Sequence, residues 1–176
     1  NFWCPSQLKN TRLIYTLYDL GFFDNYRWTT EQNRIGCFDG VLKASLYADG
    51  ILTISEFSKK QFLNFFPYYP ADRIEVIYPC SRFPSQIIQS KPKRFSSLIN
   101  KQFWLTVGTI EPRKNLKFLA EIYAEYLKSN NPKFPLVIAG QKGWLMHDFE
   151  SYLIQLGIEK NVILLGYVND EELMWL

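Results

Sequence analysis

The sequence predicts an α/β fold made of two parallel sheets, each flanked by helices. Three observations carry this. Short apolar runs recur along the chain, and each ends near Gly or Ser and gives way to a stretch with helical spacing. That is the signature of buried parallel strands joined by right-handed crossovers. The alternation of strand and helix also occurs twice. Between the two occurrences lies Phe83 to Lys101, with two prolines, several serines, Lys91, Lys93 and Arg94, and no sustained apolar period. It reads as a solvated basic linker, so the chain divides into residues 1–82, a linker at 83–101, and residues 102–176.

In the first part, Arg12 to Leu17 (RLIYTL) is dense in β-formers and leads into Tyr18-Asp19-Leu20-Gly21. Phe22 to Glu31 lacks a period and reads as a loop. Asn33 to Ala48 places Ile35, Phe38, Val41 or Leu42, Ser45 and Leu46 at helical steps, despite Gly36 and Gly40. Asp49-Gly50 ends that helix, and Ile51 to Ser55 is a short buried strand. A helix then runs through Phe65, with Ser58 and Gln61 spaced as one option for a capping box. Pro67 and Pro70 stop it. Arg73 to Tyr78 (RIEVIY) is the next strand.

The second part opens with Trp104 to Val107, an apolar run that reads as a buried strand ending at Gly108. The chain turns through Thr109 to Glu111 and enters a helix at Pro112, whose missing N–H costs nothing in a first turn. Leu116, Leu119, Ala120, Tyr123, Tyr126 and Leu127 share one face. Pro135 to Gly140 is a buried strand, followed by the loop Gln141 to Trp144. Phe149 to Leu156 is amphipathic, and Gly157 ends it. Asn161 to Gly166 is a third strand. Asn169 then looks like an N-cap ahead of an acidic first turn.

Arg113 and Lys114 are out of place in this scheme. Cations at the positive end of a helix are disfavoured by about 0.3–1 kcal/mol each. They make sense if an anion sits between them and the free N–H groups; the other reading is a solvated surface pair. Ligands of open parallel sheets bind at the carboxyl ends of the strands. That rule puts Tyr18-Asp19, Ser55-Glu56, Thr109 to Lys114, Gln141-Lys142 and Tyr167-Val168 on ligand-capable edges.

Composition narrows the classes. The 176 residues are 47% hydrophobic and 21% charged, ordinary for a globular chain. A net charge of +3 with no basic stripe argues against nucleic acid. One histidine and three scattered cysteines (Cys4, Cys37, Cys80) make a metal site unexpected, and the thiols read as small buried hydrophobes in a reducing, cytoplasmic setting. No run approaches the ~20 apolar residues of a membrane span. Neither a Walker A motif nor GxGxxG occurs. The chain starts at Asn1 and its last helix stops within two turns, so a segment of something larger is expected.

Taken together, several strings resemble the group-one, GT-B-type glycosyltransferases of family four. Tyr15-Thr-Leu-Tyr-Asp-Leu20, Ala48 to Lys59 and Arg73 to Pro79 resemble the later part of the acceptor domain. Val107-Gly-Thr-Ile-Glu-Pro-Arg-Lys-Asn-Leu116, Leu136 to Gly140 with Gly143-Trp144, and Val162 to Val168 resemble the start of the donor domain. Each is weak alone, but their order and spacing are specific. The resemblance implies two partial GT-B domains with Rossmann-like sheets. It implies transfer of a sugar with retention, from a nucleotide diphosphate sugar to a glycan or lipid-linked acceptor, with no required metal or cofactor. Mannose from GDP-mannose is the guess for the donor. It also implies a cytoplasmic enzyme of polysaccharide biosynthesis, with peripheral association at the inner membrane face as one expectation.

By the same resemblance, Lys114 matches the family's diphosphate-binding Lys. Arg113 supplies a second charge, because Thr109 stands where the family more often has Arg. Gly108 lets the phosphate approach the backbone. Tyr167-Val168 lies where the family contacts the base, mostly through main chain, and Gln141-Lys142 is a further phosphate or sugar contact. Tyr18-Asp19 replaces the family's His-Asp, and a phenol is a poorer proton carrier near neutral pH. Asp19 either caps a turn or faces the cleft; Ser55-Glu56 is either a helix start or an acceptor contact. His147 matches no catalytic position. The family's Glu-x7-Glu motif is expected beyond residue 176, so the segment is expected to be inactive alone. A nucleotide-sugar-binding or assembly protein that lost catalysis is the alternative, favoured by Tyr18. An unrelated flavodoxin-like module would need its own pocket, which the sequence does not show.

Overall fold

A computed structural model of the chain describes residues 3–5, 8–83, 92–98, 102–129 and 133–176. The chain forms two compact units, Asn1–Ser81 and Arg82–Leu176, each built on a three-stranded parallel sheet.

In the first unit the strands are β1 (Ile14–Leu17), β2 (Gly50–Thr53) and β3 (Ile74–Val76), in that spatial order. Tyr15 pairs with Ile51, and Ile51 with Ile74, in register. Alternation turns Tyr15 and Leu17 into the core and leaves Ile14 and Thr16 outside. The helices are α1 (Gly21–Asp24), α2 (Glu31–Tyr47) and α3 (Glu56–Phe65). Leu17, Ile51, Ile74, Val41, Ala44 and Phe62 form the centre of the core, and each large side chain so buried contributes roughly 1.5–3 kcal/mol.

Four expectations change here. The stretch 22–31 is not an open loop: it holds most of α1 and a 3-10 turn at Tyr26–Trp28, with Asn25 accepting the Arg27 N–H at 2.9 Å. The buried stripe of α2 is Val41, Ala44, Ser45 and the following Ala48, while Ile35, Phe38 and Leu46 are exposed. The cap of α3 is Ser55, which accepts the Ser58 N–H at 3.1 Å; Gln61 instead reaches Asp24. Cys80 is exposed, whereas Cys4 is buried and burial pushes its thiol pKa up.

In the second unit β4 (Trp104–Val107), β5 (Leu136–Ala139) and β6 (Val162–Gly166) lie side by side in that order. The helices are α4 (Leu116–Ser129), α5 (Phe149–Gln155) and α6 (Asp170–Trp175). Central β5 is buried at all four positions. β4 is not: Trp104, Leu105 and Val107 are exposed, because β4 is an edge strand covered only partly by α4. The inward face of α4 is Leu116, Ala120, Tyr123 and Leu127, with Leu119 and Tyr126 packed at its border. The Tyr123 hydroxyl donates to the carbonyls of Phe134 and Asn161 at 2.7 and 3.1 Å, tying α4 to the strands beside it.

Two more departures concern chain segments. Phe95 and Leu98, within the expected solvated linker, are buried against Val137 of β5. The remainder of that linker, 84–91 and 99–101, lies outside the described residues. The helix expected from Pro112 is broken: Pro112–Lys114 is a 3-10 turn, Asn115 is left-handed at φ 53°, and α4 starts at Leu116. The N-cap at Asn169 is complete as a capping box, with Glu172 reaching back to the Asn169 N–H.

Candidate functional site

The site is built at the carboxyl edge of the second sheet, where two loops lock together through main chain. Gly108 N–H donates to Ala139 O at 2.9 Å, Ile110 N–H to Gln141 O at 2.8 Å, and Gly143 N–H to Ile110 O at 3.0 Å. Two glycines make this approach possible. A Cβ on Gly140 would lie 1.9 Å from Gly108 O, and one on Gly143 would lie 2.7 Å from Thr109 Cγ2 and 2.8 Å from Ile110 O. Gly108 itself has φ +144°, a conformation open to glycine and strained for other residues.

Over this platform the 3-10 turn carries the two cations, and they behave differently. Arg113 Nη2 is 2.8 Å from Glu111 Oε1, and the Glu111 residue is only 3% exposed. A carboxylate so buried needs a partner, since an isolated one is costly to desolvate, and Arg113 is that partner. Lys114 folds back across Gly108: a Cβ there would meet Lys114 Cε at 3.2 Å and Nζ at 3.7 Å. The cations therefore do not crowd the first turn of α4. They sit on a separate turn, with the left-handed Asn115 between them and the helix.

Four cations lie around this edge. Arg94 pairs with Glu172 at 3.4 Å, Arg113 with Glu111, and Lys142 with Glu150 of α5 at 2.7 Å. Lys114 has no ion pair among the described residues. An exposed ammonium over a glycine backbone, one turn from a helix whose first N–H groups lack intrahelical partners, has the elements of an anion site.

The structure thus brings together Gly108, Thr109, Arg113 and Lys114. Gln141 contributes its carbonyl to the loop lock and leaves its side chain exposed. Lys142, expected as a phosphate or sugar contact, is exposed and pairs at the surface with Glu150. At the end of β6 the Tyr167 side chain is exposed and its carbonyl accepts from Arg94 Nη1 at 2.8 Å. Val168 packs on the Phe95 cluster. Arg94 also donates to the Leu165 carbonyl, so one guanidinium clamps the chain around Gly166, which is left-handed at φ 68°.

In the first unit, Asp19 caps a turn, with Oδ1 accepting the Gly21 N–H at 3.0 Å. Tyr18 presents an exposed phenol, while its carbonyl accepts from Ser58 Oγ at 2.8 Å. Ser55 is occupied as the α3 cap, and Glu56 is exposed in the first turn. His147 is exposed. Among the described residues no group of three or more His, Cys, Asp or Glu side chains is placed to hold a metal ion.

Sequence reasoning missed three parts of this site. Glu111 looked like an ordinary charged residue before a proline, with nothing to mark its burial. Arg94 was read only as one of the cations of a solvated linker. Gly140 and Gly143 were visible, but their role depends on a loop 30 residues upstream.

Comparison with known proteins adds the following. The family model described as glycosyl transferases group 1 matches residues 89–176, half of the chain. O-antigen chain mannosyltransferase B of Escherichia coli is 32% identical over all of this chain and 46% of its own length, so the chain spans about half of that relative. Among solved structures, WaaG, a glycosyltransferase involved in lipopolysaccharide biosynthesis, matches with a TM-score of 0.63 at 18% identity, over 91% of this chain and 47% of WaaG. Anabaena HepE, solved in complex with UDP and glucose, matches with a TM-score of 0.57 at 20% identity, over 90% of this chain and 42% of that one. At these identities the structures establish a shared fold, the Rossmann-like sheets of GT-B glycosyltransferases.

Proposed function

The chain belongs to the group 1 glycosyl transferases, and from that premise we propose that the whole protein transfers a hexose from a nucleoside diphosphate sugar to a glycan or lipid-linked acceptor, with retention and without a metal. The observation that carries this reading is the ammonium of Lys114, without an ion pair among the described residues, lying across Gly108 at the carboxyl end of β4. As the bond from the anomeric carbon to the diphosphate breaks, negative charge builds on the leaving oxygens. A positioned cation stabilises that charge more than the ground state. Arg113 adds positive potential, weakened by Glu111.

Mannose is the donor sugar we propose, from the likeness to the O-antigen mannosyltransferase. The HepE complexes, with UDP and UDP-glucose, support a nucleotide sugar as the class of donor. No helix among the described residues is long and apolar enough to cross a membrane; we place the protein in the cytoplasm, at the inner membrane face when its acceptor is lipid-linked. Residues 1–176 alone would bind without turning over.

The test is titration of the full-length protein with GDP and UDP, alongside Lys114→Ala. Unchanged affinity in the variant removes the diphosphate site. A second reading, a binding or assembly protein without catalysis, is favoured by Tyr18 at the position the family fills with His. Transfer of labelled mannose from GDP-mannose to a mannosylated acceptor decides between them.

A further inference from the structure

Each strand of the second sheet meets a glycine at its carboxyl end: Gly108 after β4, Gly140 after β5, and Gly166 as the last residue of β6. Their main chains touch in turn. A Cβ on Gly140 would lie 1.9 Å from Gly108 O, and Gly140 bridges to Gly166. The row makes a floor of bare backbone that starts under Lys114 and runs across the edge to the end of β6. Glycines in such places let a ligand come close to the main chain. The two ends of the floor are fixed by different means. At Gly108 the loops are tied through main chain, as described above. Around Gly166 a side chain does it: Arg94 Nη1 donates to Tyr167 O at 2.8 Å, and Arg94 Nη2 donates to Leu165 O.

Arg94 is itself held on both sides. Its neighbour Phe95 is buried, with its ring centroid 5.7 Å from that of Trp175 in α6. Glu172, the residue that completes the Asn169 cap, lies 3.4 Å from Arg94 Nη1. The guanidinium is a rigid planar fork, suited to two carbonyls of one chain segment in a way that a flexible ammonium is not. It also offsets the partial negative charge of two carbonyl oxygens at an edge that is to receive an anion. A nucleoside diphosphate is a charged head joined to a larger uncharged part. The head suits Lys114. The rest has to lie along the edge, and the glycine floor is a stretch of that edge without side chains, ending where Arg94 grips the chain.

We infer that Arg94 is a positioning residue for the nucleoside part of the donor, fixing the far end of the floor while Lys114 takes the diphosphate. The inference rests on the transferase reading above and adds a residue to it. The test titrates full-length protein with GDP and UDP, and with inorganic pyrophosphate in competition against them. It compares the wild type with Lys114→Ala, Arg94→Ala and Arg94→Lys. Pyrophosphate carries the charge of the head without the nucleoside, so it separates the two ends of the site. Lys114→Ala should weaken nucleotide and pyrophosphate alike. Arg94→Ala should weaken whichever nucleotide the wild type binds by about tenfold and leave pyrophosphate unchanged, a split that a general loss of folding does not produce. Arg94→Lys keeps the charge and loses the fork, so nucleotide affinity should fall nearly as far. Hydrogen exchange on the wild type is a readout independent of the variants: the bound nucleotide should slow the amides of 165–169, and pyrophosphate should not. Equal weakening of nucleotide and pyrophosphate in Arg94→Ala, wild-type affinity in Arg94→Lys, or unchanged exchange at 165–169 with nucleotide bound each overturns the inference. If Lys114→Ala loses affinity and the Arg94 variants do not, the positioning role fails and the transferase reading stands; if no nucleotide binds the wild type, both fail.

Discussion

Lys114 lies across Gly108, with its Cε 3.2 Å and its Nζ 3.7 Å from the point where a Cβ would stand. The glycine thus sets both a backbone conformation and the path of a cation. Lys114→Ala removes the one cation at this edge without an ion pair among the described residues. It should weaken GDP or UDP binding by about tenfold to a hundredfold, with little change in stability, as measured by calorimetry and thermal melting. Gly108→Ala should weaken nucleotide binding too, by displacing Lys114, but should also lower Tm because of the strained φ.

The loop lock makes a second prediction separable from the first. Gly140→Ala would put a methyl group 1.9 Å from Gly108 O, and a backbone carbonyl cannot swing aside as a side chain can. A loss of about 1–3 kcal/mol or more is expected, read as a lower denaturation midpoint. Gly143→Ala meets Ile110 O at 2.8 Å and Thr109 Cγ2 at 2.7 Å, and should cost less because Thr109 can rotate and the backbone overlap that remains is smaller than at Gly140. Nucleotide affinity should fall in both, since the platform under Lys114 moves.

Those effects show what a linear reading could reach. All six strands were legible: β2, β4, β5 and β6 as apolar runs ending near Gly or Ser, and β1 and β3 as short runs dense in β-formers. Lys114 was legible because a cation near a helix start is locally odd. Arg113 was half legible: its charge was visible, its cancellation by Glu111 was not, since burial of Glu111 depends on how two loops meet. The α2 face went wrong because 3.6-residue spacing ranks large apolar side chains above small ones. Val41 and Ser45 were on the expected face and are buried, whereas Ile35, Phe38 and Leu46 are exposed and Gly40 and Ala44 are buried in their place.

The Glu111–Arg113 pair gives a third prediction. Arg113→Ala leaves a buried carboxylate without its partner and should cost about 1–3 kcal/mol, more than removal of a surface arginine. Glu111→Gln in the same chain should recover much of that loss, because a neutral amide tolerates the site better. A double-mutant cycle by chemical denaturation measures the coupling. If Arg113→Ala proves neutral, the pair is an ordinary surface contact at 2.8 Å.

The last prediction concerns alkaline pH. Tyr15 is buried in the first core, and burial, helped by Cys4 and Cys37 nearby, pushes its pKa from 10.0 up to about 12. Its charged form is the one the fold disfavours. In the unfolded chain the phenol loses its proton near its ordinary value, and in the folded chain only later. Between those values the unfolded state binds fewer protons, so stability falls as pH rises. The contribution is fully present below pH 10.0 and is lost by about 12, to an extent of about 2–3 kcal/mol at most. Denaturation midpoints measured across this window should fall steeply in the wild type and less steeply in Tyr15→Phe, with Tyr69 and Tyr123, also raised by burial, supplying the residual slope. Equal slopes in the two proteins would mean that Tyr15 ionises without opposing the fold.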